Sequence, residues 1–175
     1  ALGLFQSADV AIDAVTFGLQ TKGVSEGRLP DGSAHVVRFP GTPTANQANY
    51  LPLTEVVINE VLSHTDPPLE DAIELHNGSA APVSVSGWYL SDSPRDLFKY
   101  RIPDGTVIAA GGYGVFYETN FNLDLNLASP FALDSAHGET LYLSQALTNG
   151  VLTGYRATAS FGAAESGVSF GRFTN

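Results

Sequence analysis

Ala72-Ile73-Glu74-Leu75-His76-Asn77 alternates apolar and polar side chains without a break. Successive side chains of a β-strand point to opposite faces, so Ile73 and Leu75 lie on one face and Glu74 and His76 on the other. Asn77-Gly78 then ends the strand with residues that tight turns favour. The same grammar extends outward in both directions. Upstream, Val56–Leu62 is β-branched and half alternating, which reads as a core strand. Downstream, Val83-Ser84-Val85-Ser86 alternates, Gly87 breaks the run, and Trp88-Tyr89-Leu90-Ser91 follows. Phe98-Lys99-Tyr100-Arg101-Ile102 predicts Phe98, Tyr100 and Ile102 in a core, with Lys99 and Arg101 as a small basic stripe outside it. After the turn Pro103-Asp104-Gly105-Thr106 come Val107-Ile108, a Gly-rich corner, and the strand Tyr113–Tyr117. Residues 118–137 read as a long polar loop, and residues 139–144 and 154–160 as further strands. Short apolar runs with regular turn signals predict seven to nine strands between residues 54 and 175 and no long helix. The fold class is all-β, an antiparallel sandwich or barrel.

Residues 17–28 (Phe-Gly-Leu-Gln-Thr-Lys-Gly-Val-Ser-Glu-Gly-Arg) and 161–172 (Phe-Gly-Ala-Ala-Glu-Ser-Gly-Val-Ser-Phe-Gly-Arg) are near copies at a constant offset, about 144 positions. The repeated piece closes a unit. Three segments follow from this: residues 1–28 as the C-terminal strands of a preceding unit, residues 29–53 as a linker rich in Pro and Gly, and residues 54–175 as a nearly complete second unit. The apolar side chains Leu4, Phe5, Val10, Ile12, Val15 and Phe17 leave residues 1–17 in need of a partner. They are expected to join a sheet edge, either of the 54–175 domain or of another copy in a strand-exchanged homodimer.

The chain is 43% hydrophobic and 15% charged, enough apolar content for a core. Its net charge of −10 argues against nucleic acid and against anionic membrane surfaces. It has no Cys, which removes disulfides, thiolate metal sites and Cys nucleophiles together. No apolar run reaches the ~20 residues that a membrane-crossing helix needs.

Val57-Ile58-Asn59-Glu60-Val61, then Ile73 to Asn77, then Ser86-Gly87-Trp88-Tyr89-Leu90-Ser91-Asp92, in that order, resemble the lamin-tail domain, and in particular its bacterial extracellular type. Tyr100-Arg101-Ile102-Pro103, the Gly111-Gly112-Tyr113 corner and the Gly138-Glu139 pair fit the same resemblance. It implies an all-β, immunoglobulin-like antiparallel β-sandwich with Trp88 buried between its sheets, serving as an interaction module placed in bacterial proteins outside the cell or at its surface, with no family catalytic residues to carry over. The expected partners are proteins or neighbouring domains of the same chain. The alternatives are a ligand-binding module for glycan or calcium, or an accessory domain of an extracellular hydrolase.

The acidic loop around residues 64–71 holds Asp66, Glu70 and Asp71, a candidate oxygen-ligated calcium site whose spacing matches no established calcium loop. A solvated acidic surface is the competing reading, and no cofactor is expected. His64 and His76 flank this loop; His35 and His137 do not obviously join it. Ser63, His64 and Asp66 are neighbours in sequence, which is not a catalytic triad, and the chain is expected not to be an enzyme. Asn59 or Glu60 is expected to point inward and tie down the backbone before residue 72. Trp88, Tyr89, Phe98, Tyr100, Tyr113, Phe116 and Tyr117 could supply a sugar-stacking platform, although sandwich cores absorb most such residues.

Overall fold

The computed structural model describes residues 1–6, 10–124, 127 and 129–173. The chain forms two compact units, residues 1–49 and 50–175.

The first unit is two hairpins. β1 (Leu2–Gln6) pairs antiparallel with β2 (Val10–Val15), and β3 (Ser25–Arg28) pairs antiparallel with β4 (Val36–Phe39). Among the described residues β1 and β2 pair only with each other, so residues 1–17 add to no sheet edge of this chain. In the segment 29–53, expected as a linker, Val36–Phe39 forms β4, and Leu29 and Phe39 are buried. Pro30, Gly32, Pro40 and Gly41 sit in turns and bends outside the strands, where they break no ladder bond.

The second unit is a sandwich. One sheet has five strands in the order β10-β9-β13-β14-β5: β5 (Leu51–Pro52), β9 (Tyr89–Ser91), β10 (Tyr100–Arg101), β13 (Thr140–Ala146) and β14 (Leu152–Ser160). The other has four strands in the order β12-β7-β6-β15: β6 (Val56–Leu62), β7 (Ala72–Asn77), β12 (Tyr113–Tyr117) and β15 (Ser169–Gly171). A small pair of β8 (Val83–Ser84) and β11 (Val107–Ile108) lies beside them. Among the described residues ten strands thus follow residue 54, against the seven to nine expected, because two-residue strands carry no visible alternation. All pairs are antiparallel except β5 with β14, which is parallel.

The core is drawn from both sheets. Ile58, Ile73 and Leu75 come from one, Leu90, Leu141 and Leu143 from the other, and Trp88 is buried among them. Fully burying an aliphatic side chain of this size stabilises by about 1.5–3 kcal/mol. The segment 118–137 is more than a polar loop. It opens with a single helical turn, α1 (Glu118–Phe121), the only helix among the described residues. It also sends Phe121, Phe131 and Leu133 into the core, where the two phenyl rings stack at 4.9 Å. Phe98 departs from the expected core set. It lies outside β10 with its ring half exposed, edge-on to Tyr89 at 5.0 Å.

Two polar positions shape the site region. β6 carries a β-bulge, with Ile58 opposite Leu75 but Glu60 opposite Glu74, so Asn59 is the extra residue. The bulge resets the alternation, and Ile58 and Val61 both face the core. Asn59 and Glu60 are therefore not the inward polar residues. Glu60 is exposed, and Asn59 donates from Nδ2 to Glu74 Oε1 at 2.8 Å on the sheet surface. The buried polar residue is Asn77, 0% exposed. Its Nδ2 donates to the carbonyls of Ala81, Ile108 and Ala109 at 2.8, 3.0 and 3.0 Å. Its Oδ1 accepts from the Ser79 amide and hydroxyl.

Candidate functional site

At one open edge of the sandwich the ends of β14 and β15 part and leave a cleft of about 300 Å³. Ile58, Val61, Ala159, Phe161 and Phe170 give it an apolar lining, and Arg172 lies at its polar end. The Phe161 and Phe170 rings approach to 6.1 Å across it. The bulge at Asn59 brings the β6 backbone to this edge. There the Arg172 amide donates to Asn59 O at 2.8 Å. The guanidinium donates from Nε to Ile58 O at 2.8 Å and from its terminal nitrogen to Thr158 O at 3.3 Å. One side chain thus spans both sheets. Of the two bonds, the part-buried one to Ile58 is the stronger, since its donor is charged and its length short, while the exposed Thr158 bond is weakened by solvent. Arg172 and its counterpart Arg28 are visible in the sequence repeat, but nothing in a local pattern shows what they hold.

The acidic loop is a set of separate structural contacts. Asp71 accepts from the Thr65 hydroxyl at 2.8 Å, and Glu70 accepts from the Thr119 amide at 3.1 Å. Asp66 is exposed, and its backbone carbonyl accepts from the Leu69 amide. Among the described residues, no three His, Asp or Glu side chains converge as a metal would require. Burial pushes the Asp71 carboxyl above its usual range; the Thr65 hydroxyl opposes the shift, and Glu118 reinforces it.

The histidines are dispersed. His64 Nδ1 lies 2.9 Å from the Ala164 carbonyl, His76 packs on the Tyr113 ring at 4.7 Å, and His137 lies 3.2 Å from the Asp134 carboxylate. The His35 carbonyl accepts from the Leu29 amide in the first unit. Ser63 is buried. The expected basic stripe is neutralised: Lys99 pairs with Asp92 at 2.6 Å and Arg101 with Asp104 at 2.8 Å.

Of the aromatic set, Trp88, Tyr100 and Phe116 are core residues and Tyr89 is half-buried. Tyr113 and Tyr117 stand exposed on the outer face of the edge strand β12, with Val115 between them.

The comparisons with known proteins agree with this geometry. The sequence matches the family model described as Lamin Tail Domain over residues 52–162. No curated protein and no solved structure matches. The matched span runs from β5 through the end of β14 and so takes in both sheets of the sandwich; the chain belongs to the lamin tail domain family.

Proposed function

We propose that the chain is a non-catalytic interaction and spacer module from an array of lamin tail units, in a secreted or surface-displayed bacterial protein. The carrying observation is that the sequence repeat is also a repeat of structure. Gly23 and Gly167, 144 positions apart, have φ of +78° and +75°. The turns they sit in are closed by the same bond, Val24 N–H to Thr21 O and Val168 N–H to Glu165 O, each at 3.1 Å. Arg28 and Arg172 then reach equivalent carbonyls, Ala14 O at 3.4 Å and Thr158 O at 3.3 Å. These matches support reading residues 1–28 as the closing strands of a unit like the second one. The dispersed His, Asp and Glu side chains favour a mechanical or binding role over catalysis.

Stretching the chain between its ends tests this. A spacer unit yields one discrete rupture for residues 50–175, with a contour gain of roughly 400 Å at ~3.3–3.6 Å per residue. Smooth extension without a rupture refutes the reading. Protease shaving of intact cells carrying the tagged protein tests its placement, and a chain fully protected from the protease refutes surface display.

A second reading rests on Tyr113 and Tyr117. Two exposed rings on one strand face, with His76 packed against the first, form a surface on which a sugar ring could stack. Loss of glycan binding in Tyr113→Ala supports it. Failure of the unaltered chain to bind any member of a glycan array removes it.

A further inference from the structure

We propose that the first unit is a docking surface for a β-strand of the Val56–Leu62 kind, which pairs antiparallel with the free edge of β3 and is fastened by Arg28. The inference rests on reading residues 1–28 as the end of a lamin tail unit, and adds where its partner binds and through which groups.

Four observations carry it. First, the hairpins share a register. Leu2 faces Val15 as Leu141 faces Ala159, and Leu4 faces Asp13 as Leu143 faces Ala157; both hairpins then shift register. Second, the matching side chains differ in burial. Leu141 and Leu143 are 0% exposed and Phe161 is 7%, while Leu2, Leu4 and Phe17 are 69%, 60% and 45%. The first unit thus shows to solvent the face that its counterpart buries against β6 and its neighbours.

Third, the edges of β3 can be told apart. In the second unit the Arg172 N–H points at β6, donating to Asn59 O. In the first unit the next residue along, Leu29, donates its N–H to His35 O, toward β4. Successive amides of a strand point to opposite edges. So β4 covers the outer edge of β3. The inner edge, which carries the Arg28 N–H, is the one that β6 fills in the second unit, and among the described residues no strand occupies it.

Fourth, Arg28 already stands in place. It donates to Asp13 Oδ1 at 2.6 Å, to Ala14 O and to Ser33 O. These contacts hold the guanidinium against β2, as the Thr158 bond holds Arg172 against β14. The arriving strand supplies the acceptor that Ile58 O supplies to Arg172. Its chemistry is therefore defined: a β-branched strand with a bulge that turns two carbonyls toward an arginine, paired with a second strand of the Ala72–Asn77 kind to cover Leu2 and Leu4.

A gain-of-structure experiment tests this on the full chain. By register Ala1 stands at the position of Thr140, so an added copy of residues 50–139 is fused directly ahead of Ala1. With Trp88→Phe in the original domain, the tryptophan of the added copy reports the hybrid unit alone. The expected result is a second cooperative thermal transition, loss of binding of an apolar dye, and new protection of the Arg28 amide from hydrogen exchange. Arg28→Ala should then lower the new midpoint by about 5 °C and leave that of the original domain unmoved. If the added copy stays unfolded, both the array reading and the docking inference fall. If it folds while the Arg28 amide exchanges as before and Arg28→Ala changes nothing, the docking inference alone falls.

Discussion

Asn77→Asp is the sharpest perturbation of this fold, because it keeps the side chain's shape and replaces a buried donor with an acceptor that is charged at neutral pH. Asn77 Nδ2 faces three carbonyl oxygens between 2.8 and 3.0 Å with two hydrogens to give. Of the three, the Ile108 bond is fully buried; the Ala109 carbonyl keeps another donor, the Gly112 amide, while the Ser79 hydroxyl near the Ala81 carbonyl has one proton that Asn77 Oδ1 also claims. Losing a charge-free donor at the buried Ile108 carbonyl costs about 1–3 kcal/mol, and losing each of the other two bonds about 0.5–1.5 kcal/mol. The sum is roughly 2–6 kcal/mol, against a total stability of ~5–15 kcal/mol for a domain. Asn77→Ala should lose that amount. Asn77→Asp should lose at least as much at neutral pH, since its carboxylate oxygen meets the same carbonyls as a charge without a donor. The assay is urea unfolding followed by Trp88, the sole tryptophan and a core residue. With an m-value near 2 kcal/mol/M, the midpoint should fall by about 1–3 M. Acid should partly restore the Asp variant. The site raises the folded-state pKa of the new carboxyl above its unfolded value, so the penalty is present above the folded pKa and disappears as pH falls below both values. A variant within about 0.5 kcal/mol of the parent, or a deficit that is independent of pH, refutes the account.

Gly138→Ala should cost roughly 3 kcal/mol or more by the same assay, because φ is +74° and a Cβ there would lie 2.1 Å from Phe161 O. Gly105→Ala, at φ +84° with open space around it, should cost only about 1 kcal/mol; equal losses at the two sites contradict the close approach. Burial holds the Glu139 carboxyl above its usual range, with Asp92 and Asp134 adding to the shift. Its charged form therefore lowers stability above the folded pKa and ceases to do so below 4.5. Glu139→Gln, which keeps an acceptor for the Asp134 amide, should be more stable than the parent at neutral pH, with the gain vanishing in acid; a gain that grows in acid reverses the sign and defeats the argument. Calcium and chelator should give the same melting temperature, since Asp66, Glu70 and Asp71 do not converge; a calcium-dependent rise means that they rearrange around an ion.

The alternation Ile73, Leu75 and the turn residues after it determined by themselves that this is a β-sandwich, since strand periodicity and turn chemistry act over a few residues. The recurrence of residues 17–28 at 161–172 is likewise legible in the sequence alone, because a repeated string is visible without knowing any contact. Tertiary structure decided the rest. Asn77, not Asn59 or Glu60, became the buried polar residue, because its three acceptors come from residues 81, 108 and 109 and lie against it only once the sheets close. Asn59 became a bulge for the same reason: its register with β7 is set by the partner strand and the core beneath it. Phe121, Phe131 and Leu133 entered the core from a stretch without periodicity, which a local pattern reads as loop. Arg172 acquired its role from carbonyls more than a hundred and about a dozen residues away, Ile58 and Thr158. A sequence shows which residues can be buried or charged; which distant atom meets a given polar group depends on the closed fold, and the clasp at Arg172 is settled there.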